Sequence, residues 1–331
     1  MNEEYIRKLP KAELHCHLDG SISLEMLNRL AGREMDPASV QAPVPRSSLS
    51  QYLQCFSVVL PLLQTKEALS LAAWDVVRQA AEENVLYLEV RFAPAFHCRQ
   101  GLTEMDACRA VIQGLQKGEA DFGVMSRAIV CMMRGLSREE NERTLHCAKE
   151  LREQGVAGLD LAGDEAAYPT ELYRSLFQKA RDLGVSFTIH AGECGSAQNV
   201  RDAIEMGAGR IGHGVAAAGQ EELLNLCREK NICFEMCPVS NLQTKAVMDL
   251  QEYPFLPMQK AGLAVTIHTD NRTVSGTTLT KEWMTLLGAF PEITADTIRK
   301  ANLAAIQAAF LSEEEKARLI QSFAAEYDKL L

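Results

Sequence analysis

Five short segments hold most of the potential chemistry of this chain: His15-Cys16-His17 with Asp19 close behind, Asp160 to Gly163 in DLAG, His190 and Glu193 in HAGE, His213 between two glycines, and His268 to Asn271 in HTDN. Imidazoles and carboxylates gathered at one point can hold a divalent metal ion, and a carboxylic acid beside them can move protons. Each segment alone has a plain structural reading. An HxH pair is as often structural as ligating, glycines around a histidine can mark a tight turn, and HTDN can end a strand and cap a helix. Their joint occurrence says more, because five of the seven histidines lie in these segments.

Such residues need strands to aim them. Eight short apolar, β-rich runs alternate with longer amphipathic stretches: 12–17, 85–92, 126–133, 156–162, 186–191, 210–215, 231–237 and 263–269. In TELYRSLFQKARDLG, Leu172, Leu176, Phe177 and Ala180 recur at helical spacing and Gly184 ends the helix. The pattern predicts an α/β fold, a (β/α)8 TIM-type barrel forming one domain over residues 1–331, with extra C-terminal helices after the eighth strand. An open doubly wound sheet has less support, since no GxGxxG follows the first strand. In a barrel the C-terminal strand ends form the active face, and all five segments fall there.

Strand alternation points His15 and His17 together into the barrel and turns Cys16 outward. His190 from strand 5 and Asp270 from strand 8 can close on the same centre. Imidazoles plus one carboxylate suit Zn²⁺, though the same donors accept other divalent ions. A remaining position would hold a water whose pKa the ion lowers. His213 is placed as a base or orienting group for that water. Glu193 is placed as a general acid, its pKa raised beside an apolar substrate.

Composition narrows the partners. A formal net charge of -10 argues against nucleic acid and anionic membranes, both of which need a basic face. No apolar run reaches membrane-spanning length, and the start MNEEYIRKLP does not read as a signal peptide. The ten cysteines are scattered without a CxxC pair, which fits reduced thiols in a cytoplasmic protein. Residues 35–48, rich in proline and serine, read as a loop.

Taken in order, ELHCHLDGS, DLAGDE, HAGE, GHG, CPVSN and HTDN span residues 11–276. The set resembles the metal-dependent adenosine deaminases, within the amidohydrolase-type barrels. The resemblance implies one Zn²⁺ per chain, held by His15, His17, His190 and Asp270. It implies attack of an activated water on purine C6, with Glu193 protonating N1 and His213 and Asp270 orienting and deprotonating the water. Gly163 would meet purine N3 through its backbone N–H, and Asp19, with His17, would contact a ribose hydroxyl. Asp160 would stand behind the ligands at most. Many members carry a second aspartate after strand 8 that contacts N7. Here it is Asn271, whose amide can donate to N7 without being protonated. Arg272 reads as a salt-bridge partner, His268 as an interior hydrogen-bonded residue and His146 as surface. His97, at the end of strand 2, is a similar case to His268 with less context. SLSQYLQCFSVVLPLL (48–63) matches a helical lid after strand 1, with Leu53 and Phe56 as apolar contacts, although any amphipathic helix explains the same residues.

The implied substrate is a purine nucleoside, adenosine or 2′-deoxyadenosine, converted to the inosine analogue and ammonia. Sister activities on adenine, nucleotides or modified adenosines remain alternatives. Asp19 favours a nucleoside, because a carboxylate accepts from ribose but repels a 5′-phosphate. Binuclear hydrolases of lactones or cyclic amides usually bridge their metals with a lysine after strand 4, and GLDLAGDE has none. A non-catalytic binding protein would have no need for both the ligand set and Glu193. Nothing in the sequence sets the oligomeric state.

Overall fold

The computed structural model describes residues 1–42 and 55–330. Its strands are β1 (Lys11–His17), β2 (Val85–Phe92), β3 (Met125–Met133), β4 (Val156–Ala162), β5 (Thr188–Ala191), β6 (Arg210–His213), β7 (Cys233–Met236) and β8 (Ala264–Ile267). Parallel ladders join β1 to β4 in order and β5 to β8 in order. Two seams close the ring. Leu159 N donates to Ser186 O at 3.0 Å, and on the other side His17 N donates to Asp270 O at 2.7 Å and Asp270 N to His15 O at 2.9 Å. The result is a (β/α)8 barrel in which each of the eight strands is bonded to a neighbour on both sides.

Strands covered on both faces read as near-continuous apolar runs, and those of β2, β3 and β4 are buried almost throughout. The crossover helices start on sequence-legible caps. Ser137 with Glu140 and Thr103 with Asp106 form reciprocal capping boxes for Arg138–Glu150 and Glu104–Phe122. Helices Leu279–Ala289, Ala295–Ala308 and Glu313–Asp328 follow the last strand. The second of them packs on β8 and β1 and accepts Ala12 N at Asn302 Oδ1, 2.9 Å. No helix among the described residues is long and apolar enough to cross a membrane.

β1 departs from simple alternation. Its pairing with β2 slips between Glu13 and Cys16, so one extra residue is accommodated there. Strict period two would put Glu13 on the same side as His15 and His17. Instead Glu13 faces the helix layer, paired with Arg272, which also donates to Val76 O at 2.9 Å. The Leu14 peptide at the slip is satisfied by side chains. Its N–H donates to His268 Nδ1 at 3.1 Å, and its carbonyl accepts from Arg91 at 2.6 Å. His268 is thus occupied in supporting the strand.

The lower barrel interior is a lattice of charges. Arg91 pairs with Asp160 at 3.0 Å and Glu235 at 2.7 Å, and Arg210 with Glu89 at 2.5 Å and Glu235 at 2.7 Å. All five are fully buried. The Phe310 ring lies 3.8 Å below the Arg210 guanidinium and its N–H donates to Glu89 at 3.2 Å, plugging the bottom. Removing one partner from such a lattice leaves a buried charge uncompensated. Arg210→Met is therefore expected to lower unfolding free energy by about 3–5 kcal/mol, read as a lower urea midpoint; an unchanged midpoint would show that the lattice contributes no stability at Arg210.

Candidate active site

The C-terminal ends of β1, β5 and β6 and the turn after β8 bring four imidazoles and a carboxylate to one point. Donor atoms of His15, His190, His213 and Asp270 all lie within 4.8 Å of one another. His17, the most exposed of the five residues, joins them with its Nε2 at 3.3 Å from Asp270 Oδ1 and 3.2 Å from His190 Nε2. Cys16 is buried on the opposite face, where its thiol meets Ser21.

Hydrogen bonds behind the rings decide which nitrogens are free. Glu235 accepts from His15 Nδ1 at 2.9 Å and Asp160 from His190 Nδ1 at 2.9 Å, so each ring turns an Nε2 lone pair to the centre. His213 is held the other way. Tyr253 donates its hydroxyl to Asn241 Oδ1 at 2.9 Å, which directs the Asn241 amide nitrogen at His213 Nδ1, 3.0 Å away. The ring hydrogen of His213 then sits on Nε2. Ser240 donates to Asp270 Oδ2 at 2.6 Å, leaving Oδ1 for the centre.

Protonation follows the same logic. Burial pulls His15 down to about 4 and His17 well below the imidazole range, so both are neutral. Burial also opposes charge on His190, but the Asp160 carboxylate outweighs it and makes this ring more basic. Burial opposes charge on Asp270, but the neighbouring imidazoles of His15, His17 and His213 hold its carboxyl well below the carboxylate range. His15 Nε2 is buried without a hydrogen-bond partner. The Nε2 lone pairs of His15 and His190, converging with the Asp270 Oδ1 oxygen, are a donor set that fits a divalent cation.

His213 and Asp270 adopt φ of 62° and 60°, left-handed conformations that cost non-glycine residues about 1–3 kcal/mol each. Holding two converging polar residues this way aims both at the same space. Glu193 is there too, its Oε2 3.8 Å from His213 Nε2, with burial pushing its carboxyl above the ordinary range.

These groups open into a cavity of about 490 Å³ lined also by Asp19, Phe56, Gly163 and Asn271. Burial raises the Asp19 carboxyl to about 6. Asn271 packs against Gly20 so closely that a Cβ there would come 1.8 Å from its Oδ1. The expected lid is described only from residue 55. Helical turns over Phe56–Val59 and Leu60–Leu62 bring Phe56, Ser57 and Leu60 to the cavity, while Leu53 lies outside the described residues. His97 is buried with Nδ1 3.0 Å from Leu63 O, and His146 is exposed on Arg138–Glu150. A larger groove of about 890 Å³ at the opposite end of the barrel, flanked by Glu119, Arg127 and Glu315, has no histidine or cysteine among its described lining residues.

Sequence reasoning left several of these residues without a part: Arg91 and Glu235 behind the imidazoles, Ser240 on Asp270, and Asn241 on His213. The signals were present. Glu89, Arg91 and Glu235 interrupt apolar strands at inward positions, and Ser240 and Asn241 lie inside CPVSN.

The sequence pattern of the family described as adenosine deaminase matches residues 10–326. An adenosine deaminase of Enterococcus faecalis is 46% identical over 336 residues, covering 99% of each chain. The solved structure of Arabidopsis ADAL complexed with IMP superposes with a TM-score of 0.89 at 26% identity, covering 99% of this chain and 100% of that one. An amidohydrolase from Burkholderia ambifaria with bound Zn gives a TM-score of 0.85 at 26% identity, covering 99% of this chain and 93% of that one. With its barrel, its converging histidines and its full-length match, this chain belongs to the adenosine deaminase family.

Proposed function

We propose that the chain hydrolyses the 6-amino group of adenosine and 2′-deoxyadenosine, releasing ammonia and the corresponding inosine. The observation that carries this reading is the meeting of a metal-type donor cluster with the buried acid Glu193 in one cavity. One Zn²⁺ per chain would be held by His15, His17, His190 and Asp270. When bound, it would lower the pKa of a water so that a nucleophile forms near neutral pH. Zinc is favoured over other divalent ions by the imidazole-rich donor set and by the bound Zn of the Burkholderia relative.

The chain's own residues divide the proton work. Asp270 takes one proton from the attacking water while His213 Nε2–H orients the oxygen. Glu193, whose carboxyl is pushed upward by burial, gives its proton to purine N1, so the ring accepts the new C6–O bond without accumulating negative charge. The proton on Asp270 then goes to the amino nitrogen, the C6–N bond breaks and ammonia leaves. The proton of the C6 hydroxyl returns to Glu193, which restores both carboxyl groups to their starting states. Gly163 N–H is assigned to N3, the Asn271 amide to N7, and Asp19 with His17 to ribose hydroxyls. Residues 1–331 form one catalytic domain in this reading, and the free thiols support a cytoplasmic setting.

A second reading is deamination of a purine nucleoside 5′-monophosphate. Arg99 is exposed in the cavity lining and could meet a phosphate, and the Arabidopsis neighbour was solved with IMP. Asp19, in the same cavity, favours the unphosphorylated nucleoside.

A panel of adenosine, 2′-deoxyadenosine, adenine, AMP and N6-methyladenosine, followed by the ultraviolet change on loss of the 6-amino group, decides the substrate. Adenosine and its deoxy analogue should give the highest kcat/KM; a preference for AMP or adenine would overturn the nucleoside assignment. Glu193→Gln should retain about one zinc per chain while losing about 10²–10⁴-fold in kcat, checked by metal analysis and steady-state kinetics. Asp160→Asn should weaken metal binding by about 10–100-fold, measured by competition with a chromophoric chelator.

A further inference from the structure

We propose that Glu165 is a positioning residue that holds Glu193 at its working geometry, an inference that rests on the assignment of Glu193 as the acid. Glu165 is buried in the loop after β4, two residues beyond Gly163, and does not line the cavity that holds the purine site. Its carboxylate accepts three consecutive backbone N–H groups from the turn after β5: Gly192 at 2.6 Å, Glu193 at 2.9 Å and Cys194 at 3.1 Å. A fourth donor, Asn199 Nδ2, reaches it at 2.7 Å.

Successive N–H groups converge on one anion only when the backbone curls around it. Gly192 and Gly195, with φ of 76° and 82°, provide the curl on either side of Glu193. Without the anion the N–H groups of the buried Gly192 and Glu193 would be unsatisfied and would drive the turn to rearrange. The same clamp continues outward. Asn199 Oδ1 accepts Thr170 N at 3.0 Å, Thr170 accepts from Arg134 at 3.1 Å, and Arg134 donates to His190 O at 2.6 Å. Glu165 therefore ties the segment bearing Gly163 to the segment bearing Glu193. The side chain of Glu193 receives none of these bonds, so its direction depends on the turn beneath it.

Glutamine is the informative substitution, because its amide nitrogen would face a backbone N–H and leave two donors opposed. Glu165→Gln should lower kcat by ~100-fold, the scale of a one-ångström misplacement, with KM for adenosine within ~3-fold of the parent under the same positional argument. Zinc content should be unchanged. The discriminating readout is the double variant: if Glu165 acts through Glu193, adding E165Q to E193Q costs little more than E193Q alone. Full kcat in E165Q, or losses that add in the double variant, would overturn the proposal. An E193Q protein of normal turnover would instead sink the assignment of the acid itself. Should E165Q fail to fold, Glu165→Asp keeps the charge but shortens its reach, and the same kcat loss and non-additivity with E193Q are expected; additive loss or full kcat in E165D would overturn the proposal equally.

Discussion

The contact on which the upper barrel depends is the pairing of Glu235 and Asp160 with Arg91 beneath the imidazoles. Each carboxylate holds Arg91 and a histidine Nδ1 on one shared oxygen. Burial opposes ionisation of both, but His190 and then Arg91 hold Asp160, and Arg91 and Arg210 hold Glu235, well below the ordinary carboxylate range. The carboxylate in turn fixes the ring tautomer. Charge at the bottom of the barrel is thereby converted into lone pairs at the top. Such a lattice is weak evidence of net stability, and its clearer contribution is orientation.

His213 shows the same principle with neutral partners. Tyr253 sets Asn241, and Asn241 sets the ring hydrogen, so His213 presents N–H where its neighbours present lone pairs. One ring environment suits coordination and the other suits orienting a water. The sequence alone had left His213 as base or orienting group. The hydrogen-bond chain favours the second, which is why the proposed mechanism gives proton removal to Asp270.

Much of the fold was legible from residues 12–17 through 263–269, because parallel strands buried on both faces are continuous apolar runs and their crossover helices carry strong caps. The candidate ligands were legible through their placement at strand ends. The slip in β1 was not, since period-two reasoning has no means of seeing an extra residue, and with it Glu13 and the support given by His268 stayed hidden. Glu165 was equally hidden, although DLAGDE was read as a motif. Three of its four donors are backbone N–H groups, which carry no residue type for a sequence reader to find.

Asn271 is backed by Gly20 with no space between them. One edge of the cavity is therefore built from two positions that are about 250 residues apart in sequence but share one volume. Any side chain added at residue 20 must move Asn271, so the shape of this edge is set by the two positions together. A library that varies residue 271 alone explores side chains against a fixed wall, whereas varying 20 and 271 together changes the shape of the site.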